Sequence, residues 1–339
     1  EFRRVLFRSQ AKTNIATPSK QFGFQIDINS KVLAKINKLG IIDEIVQRCT
    51  DQEVNTIRKT LVSKSKEILI DKYDPALNCK TDPKNCTLIL TEGDSAKAFV
   101  IAGLSAIGRQ HYGVFPLRGV PLNVTNMNVS KVLENKEIAN IFKILNSAPG
   151  TPHNNLRYGR IAICADQDSD GTHICGLLIN YFNQYFSDVM KTNPDFIQRI
   201  VSPLVKATNK RNNEIHKFYS MQEVNNWLSS VDASSWSLKY YKGLGTSSSK
   251  EAREVFTDLN SHLISFNLDV EANQTLQKFY NDTMIHERKL MLTFNYSPNT
   301  CINYKDERCD ITKFMLNEHA HFSYYSIYRA LPSAIDGLT

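Results

Sequence analysis

The stretch IAICADQDSDGTHICG, residues 161–176, indicates both the fold class and the position of a candidate site. The apolar run 161–165 is typical of a buried strand in a parallel sheet, and THICGLLINYFNQYF after it predicts a helix. Asp166, Asp168 and Asp170 stand between them, at the strand's carboxyl end, where open α/β sheets bind ligands. Three like charges call for a cation, and ligands that are all oxygens favour a hard one such as Mg²⁺. A solvated acidic loop or a helix N-cap would use the same residues.

A second motif, LILTEGDSAKAF, supplies a fourth carboxylate. It predicts a short strand, a tight turn at Gly93 and an alanine-rich helix, with Glu92 at the strand's carboxyl end. One acid on one strand and an acidic cluster on its neighbour are what a Mg²⁺-assisted phosphoryl-transfer site needs. We therefore expect Glu92, Asp166 and Asp168 to follow adjacent parallel strands and to hold Mg²⁺ together.

The composition limits the classes to which the protein can belong. The chain has 339 residues, of which 42% are hydrophobic, enough for two or more domains with buried cores. No window reaches the ~18 uninterrupted apolar residues of a membrane span, so no membrane partner is expected. The net charge of +7 permits a polyanionic partner. The cysteines are scattered without C-x-x-C pairs, which argues against zinc and favours a reducing compartment.

Patterning divides the rest of the chain. Residues 20–50 predict a strand and then a helix, and the second half of 51–86 loses periodicity, as a linker does. The segments RIVSPLVKAT, EIHKFYS and SLKYYKG predict strands. Helices are predicted for MQEVNNWLSS, for most of residues 249–293 and for the segment from about 310. The opening EFRRVLFRS matches a translated sequencing adapter, so we expect residues 1–8 to make no consistent core contacts. The last residues, PSAIDGLT, follow a turn signal, and we expect truncation at both ends.

The two acidic motifs together resemble the Toprim domain of topoisomerases, bacterial-type primases and related nucleases. Further motifs narrow the resemblance to type IIA DNA topoisomerases of eukaryotes and large DNA viruses. FPLRGVPLNV resembles the family's PLRGK-x-LNV segment, and YYKGLGTSSSKEAREVF resembles its YKGLG segment. SQAK with KQFG is similar to the end of the ATPase transducer, and YRALPSAIDGL to the start of the winged-helix domain. Five motifs in the family's order are strong support for the resemblance.

The resemblance implies an α/β fold with several parts. Residues 9–82 would be the C-terminal end of the transducer and a linker, with α+β structure. Residues 83–200 would be the Toprim metal-binding core, a Rossmann-like parallel sheet. Residues 201–298 would be a Toprim extension that carries YKGLG, and 299–339 the helical start of the winged-helix domain.

The same resemblance implies roles for individual residues. Glu92, Asp166 and Asp168 match the metal ligands, and Asp170 would be an auxiliary ligand or outer acid of the catalytic set. Arg118 would act both in catalysis and in DNA binding. The other matched positions fall into two groups, the ATP-phosphate loop of the transducer (Gln10, Ala11, Lys12) and the DNA contacts (Asn123, Lys242, Gly243). His173 is expected to be a structural hydrogen bonder at a helix start, and Tyr240 and Tyr241 to pack in a strand.

The implied activity is ATP-dependent, Mg²⁺-assisted cleavage and religation of both strands of duplex DNA, by a homodimer in the nucleus, or in a virus factory or the cytoplasm if the source is viral. Mn²⁺ or Ca²⁺ could substitute for Mg²⁺. The sequence departs from the family's motifs at two positions. Val120 stands where the family has a basic residue after Arg-Gly, and Thr339 stands where the family has a Lys after DGL. The nucleophilic tyrosine is expected beyond this chain, which would leave the isolated chain inactive. A Toprim primase or nuclease and a non-catalytic DNA-binding fragment are the alternatives, and metal-dependent DNA binding would separate the last from an enzyme.

Overall fold

A computed structural model describes residues 35, 38–40, 44, 48, 70–294, 296, 297 and 300–327. The chain divides into two compact units, Glu1–Gln52 and Glu53–Thr339, and the fold below belongs to the second. Several predictions lie outside the described residues, namely those for residues 1–8, for Gln10, Ala11 and Lys12, and for the YRALPSAIDGL segment from 328 onward. No helix within the described residues is both long and apolar enough to cross a membrane.

The centre of the second unit is a six-stranded sheet with the strand order β2-β1-β3-β4-β8-β9. Four strands run parallel, and β8 joins β4 antiparallel while β9 pairs in parallel with β8. The strands are β1 (Thr87–Thr91), β2 (Tyr112–Pro116), β3 (Arg160–Cys164), β4 (Ile197–Ile200), β8 (Leu263–Asn267) and β9 (Arg308–Asp310). The central strands are buried along nearly their whole length, because helices cover both faces of a parallel sheet.

Alternate side chains of the central strands enter two separate cores. Leu88 and Leu90 point to one face, and Ile89 between them points to the other. The first face is covered by α3 (Lys136–Leu145), α4 (Ser169–Thr192), α7 (Ala272–Tyr280) and α9 (Ile311–Phe314), the second by α1 (Asp94–Ile107) and α6 (Ser249–Thr257). The other helices are α2 (Val129–Glu134), α5 (Met221–Leu228) and α8 (Ile285–Phe294). The α9 segment continues through a π-helical turn, Met315–His319, and then as α-helix over 320–327.

A second, three-stranded antiparallel sheet has the order β6-β5-β7. Its strands are β5 (Val205–Asn209), β6 (Ile215–Phe218) and β7 (Trp236–Tyr240). Helix α5 packs on it around Val224, and the rings of Trp227 and Trp236 meet edge to face at 4.8 Å. The segment that leaves β7 returns to the main sheet, and this return brings the KGLG sequence to the acidic motifs.

The sequence predicted most of these elements. The strands and helices around the two acidic motifs are confirmed, as are β5, β6, β7 and α5. The prediction that residues 249–293 are mostly helical is confirmed by α6, α7 and α8. Within this range Leu263–Asn267 forms β8, because this short stretch gains its hydrogen bonds from β4, which is distant in sequence. Residues 70–86 are irregular, as a linker would be, but Ala76, Cys79 and Cys86 are buried in the main core.

Candidate metal centre

The parallel sheet places Glu92 and Asp166 side by side. Strands β1 and β3 are neighbours, and Thr91 pairs with Cys164, so the next residues of both strands leave the sheet at one edge. The Glu92 N–H donates to the Cys164 carbonyl at 3.1 Å, which extends the ladder by one bond. The Asp166 N–H donates to Glu92 Oε2 at 3.0 Å. The predicted adjacency of the two acidic motifs is confirmed.

Asp168 caps the helix that follows. Its Oδ1 accepts the Gly171 N–H at 2.8 Å, and its carbonyl accepts the Thr172 hydroxyl at 2.9 Å. A side chain at Gly171 would collide with the Asp166 carbonyl, so glycine keeps this turn tight. The N-cap interpretation is therefore correct for one oxygen of Asp168, and Oδ2 is the atom through which it could reach a cation. Asp170 stands in the first turn of α4, where a negative charge is favourable.

The KGLG segment lies directly against Asp166. The Leu244 N–H donates to Asp166 Oδ1 at 2.8 Å. A Cβ added at Gly243 would lie less than 3.0 Å from the same carboxylate. The neighbouring Lys242 is exposed. The sequence predicted a DNA contact for Lys242 and Gly243, which stays a prediction, and it gave no sign that this loop holds Asp166.

Burial and mutual repulsion raise the pKa of two of the acids. Burial, together with the charges of Asp166, Asp168 and Asp170, raises the pKa of Glu92 despite the hydrogen bond from the Asp166 amide. Burial and the Asp168 charge likewise raise the pKa of Asp166. Within the described residues none of the four acids forms an ion pair with a Lys, Arg or His side chain. The cluster thus carries negative charge that no side chain of the described residues neutralises through an ion pair.

A buried arginine lies beneath this cluster, and sequence reasoning missed it. Arg199 in β4 is 0% exposed, and its Nη2 donates to the Asp166 carbonyl at 3.2 Å. Its Nε and Nη1 are buried without a hydrogen-bond partner among the described residues. Burial alone lowers the pKa of this guanidinium, but nearby groups, including Glu318 and Asp168, raise it overall. The signal in the sequence was a single charge inside the strand FIQRIVS.

The oxygen ligands offered by the four acids fit a hard divalent cation, but their carboxylates do not converge on a single point. Among the residues described, no three His, Cys, Asp or Glu side chains form a group that could hold a metal ion. This differs from the expected convergence, because Asp166 and Asp168 each turn an oxygen toward a backbone N–H. Clustered carboxylates without a direct counter-charge suit Mg²⁺, and side-chain rotation would be needed to bring their oxygens together. The assignment of Glu92, Asp166 and Asp168 as ligands stays a prediction.

The two other predicted DNA contacts lie along the segment after β2. Arg118 is exposed, and its Nη2 pairs with Asp71 at 2.9 Å. Asn123 is bound within the chain on both sides of its amide: Nδ2 donates to the Tyr280 carbonyl at 2.8 Å, and Oδ1 accepts the Thr125 N–H at 3.1 Å. Arg118 thus faces solvent as a phosphate contact would, whereas Asn123 has a structural role. Both DNA contacts stay predictions.

His173 has the structural role expected of it. Its Nδ1 lies 3.0 Å from His319 Nε2, and its ring stacks on Phe322 with 3.9 Å between centroids. Burial lowers the pKa of His173 to about 4, so it is neutral at pH 7.

The two tyrosines before KGLG differ from each other. Tyr241 donates its hydroxyl to Glu251 at 2.6 Å, but Tyr240 is 54% exposed, so the packing prediction is wrong for Tyr240.

Comparison with known proteins explains this arrangement. The Toprim domain family matches residues 87–203, and the C-terminal associated domain of Toprim matches residues 200–327. DNA topoisomerase 2 of Pisum sativum is 39% identical over 314 residues, which cover 88% of this chain and 21% of that protein. DNA topoisomerase 2 of Arabidopsis thaliana is 34% identical over 339 residues, with 98% and 23% coverage. The chain belongs to the type II DNA topoisomerase family.

A solved structure agrees with this membership. The crystal structure of the Plasmodium falciparum topoisomerase II DNA-binding, cleavage and re-ligation domain superposes with a TM-score of 0.73 at 35% identity. The superposition covers 77% of this chain and 36% of that one. The mixed α/β fold with its parallel sheet is therefore the Toprim fold of topoisomerase II. The chain spans less than a third of the length of the curated relatives it matches.

Proposed function

We propose that this chain is the metal-binding, DNA-contacting part of an ATP-dependent topoisomerase II. The whole enzyme would break and reseal both strands of one DNA duplex so that another can pass, which relaxes supercoils and decatenates DNA. The observation that carries the proposal is the hydrogen-bonded pair Glu92–Asp166, at the ends of adjacent parallel strands. The acidic cluster around this pair has no ion-pair partner in the part of the chain that the structure describes. Membership of the type II topoisomerase family supports it.

Each acid would have its own task. Glu92, Asp166 and Asp168 would hold Mg²⁺, which supplies neutralisation and positioning of phosphate oxygens when bound. Burial and its acidic neighbours raise the pKa of Glu92, which suits a group that would exchange a proton with a 3′ oxygen. Asp170 would repel misplaced anions and support the cation from the outer side.

Arg118 would contact the phosphate of the phosphodiester bond that is cleaved. Its pair with Asp71 has side chains that are 70% and 72% exposed, so solvent screens the attraction and little energy is needed to separate them. A phosphodiester could then replace Asp71 as the partner of the guanidinium, and Lys242 would contact the backbone nearby.

The remaining parts of the proposal concern the whole protein. Gln10, Ala11 and Lys12 would approach the ATP phosphates, and the working enzyme would be a homodimer on duplex DNA. Its location would be the nucleus, or a virus factory or the cytoplasm if the source is viral. The alternative functions, a Toprim primase or nuclease and a non-catalytic DNA-binding fragment, have no specific observation in their favour.

Fluorescence anisotropy of a labelled DNA duplex tests the proposed function. We expect the purified chain to bind in a salt-dependent manner and to bind more tightly with Mg²⁺, because the cation offsets repulsion between the acids and phosphate. The double variant Asp166→Asn/Asp168→Asn should lose the Mg²⁺ effect and keep much of the basal affinity. Glu271→Gln, which changes an exposed acid at the start of α7, is the control and should behave as the wild type. An Mg²⁺ effect that survives in the double variant would contradict the proposal.

A further inference from the structure

The KGLG loop, residues 242–245, lies so close to Asp166 that a side chain at Gly243 would displace the Asp166 carboxylate. Gly243 has φ 171° and ψ 171°, an extended conformation that any residue adopts, so backbone geometry does not require glycine here. Space does, because a Cβ at Gly243 would lie less than 3.0 Å from Asp166 Oδ2. The next residue, Leu244, donates its N–H to Asp166 Oδ1 at 2.8 Å. The loop thus binds one oxygen of the Asp166 carboxylate and leaves no room for a side chain beside the other.

The loop is held firmly enough to fix that carboxylate. The Leu244 side chain is 4% exposed and belongs to the core between the main sheet and helices α1 and α6. Glu251, in the first turn of α6, accepts hydrogen bonds from both sides of the loop: from Lys239 Nζ at 2.8 Å, from the Tyr241 hydroxyl at 2.6 Å and from the Ser248 N–H at 2.8 Å. A single carboxylate therefore joins β7 to α6 and closes the loop at its base.

We propose that the KGLG loop is a positioning element for the metal ligand Asp166. The Leu244 amide holds Oδ1 of the Asp166 carboxylate, and the missing side chain of Gly243 leaves Oδ2 the room to turn toward a cation. The inference rests on the proposed function, since it assumes that Asp166 binds the cation. It gives Gly243 a role different from contact with DNA.

The loop contains its own matched control. A Cβ added at Gly245 would lie 3.5 Å from Ser95 Cβ, which is an ordinary van der Waals contact. Gly243→Ala and Gly245→Ala therefore change the same loop by the same atoms and reduce the freedom of the unfolded chain equally. Only the first displaces the Asp166 carboxylate. Changes to groups that orient metal ligands typically weaken metal binding by about 10-fold to 100-fold.

The test measures Mn²⁺ binding by the loss of the free-ion electron paramagnetic resonance signal, with thermal unfolding recorded in parallel. We expect Gly243→Ala to bind Mn²⁺ at least about tenfold more weakly than the wild type, and Gly245→Ala to bind as the wild type does. Equal affinity in Gly243→Ala and the wild type would overturn the inference while leaving the proposed function intact. A wild type that binds no Mn²⁺ would overturn both.

A second variant covers the case in which Gly243→Ala does not fold. Glu251→Gln weakens the base of the loop and touches neither Asp166 nor the other acids. If the loop positions Asp166, Glu251→Gln should lower Mn²⁺ affinity severalfold, with a circular dichroism spectrum like that of the wild type. Unchanged Mn²⁺ affinity in folded Glu251→Gln would then count against the inference.

Discussion

The contact between helices α1 and α6 offers a stability test whose size follows from the structure. Phe256 of α6 is 1% exposed, and its ring lies over Gly103 of α1, where an added Cβ would overlap it. Phe99 meets the same ring edge to face at 6.1 Å. Phe256→Ala should therefore reduce the free energy of unfolding by about 3–5 kcal/mol, the usual cost of emptying a phenylalanine site in a core.

The second half of the test is the change at Gly103. In the wild type, Gly103→Ala should destabilise the protein, because overpacking costs about 1–3 kcal/mol and outweighs the better helix propensity of alanine. In the Phe256→Ala background the ring is gone, and the same change should be neutral or stabilising by up to about 1 kcal/mol. The two substitutions should therefore be coupled by about 1–3 kcal/mol.

Urea denaturation of the wild type, both single variants and the double variant measures this coupling. Phe294→Ala is the control, since Phe294 is 76% exposed and its removal should change the free energy of unfolding by no more than about 0.5 kcal/mol. If the effects of Gly103→Ala and Phe256→Ala add to within about 0.5 kcal/mol, the proposed contact between these residues is wrong.

Two further predictions concern charged groups. Burial alone raises the pKa of Glu251, but hydrogen bonds from Lys239, Tyr241 and Ser248 lower it from 4.5 to about 2. The stability that this carboxylate contributes should therefore be present above pH 4.5 and lost as the pH falls toward 2. In urea denaturation the difference in free energy of unfolding between wild type and Glu251→Gln should shrink over this range, and a constant difference would contradict the assignment. Asp71→Asn should release Arg118 from its ion pair and tighten DNA binding by up to about fivefold in anisotropy titrations, because an exposed ion pair contributes at most about 1 kcal/mol. Weaker binding by Asp71→Asn would instead show that Asp71 holds Arg118 in position for DNA.

The part of the site that could be predicted from sequence is the part that local patterns determine. An apolar run that ends in acids and is followed by a helical pattern defines a strand, a site edge and a helix, and two such units in a parallel sheet bring Glu92 beside Asp166. The resemblance to a family added Arg118, Asn123, Lys242 and Gly243 as expected DNA contacts.

What sequence could not reveal depends on contacts between distant segments. Arg199 looks like a surface charge in an otherwise apolar strand until the sheet is assembled and buries it beneath Asp166. Gly243 looks like a flexible position until the chain returns from the second sheet and meets the Asp166 carboxylate. Strand β8 likewise becomes a strand only because β4 offers it an edge.

Direct titration of the chain with Mg²⁺ in a calorimeter tests most directly whether the acids after β1 and β3 hold the cation. We predict that the wild type binds Mg²⁺ and that Glu92→Gln, Asp166→Asn and Asp168→Asn each weaken binding by about tenfold or more, while Glu271→Gln binds as the wild type does. Binding that is absent in the wild type, or that persists unchanged in all three variants, would contradict the account.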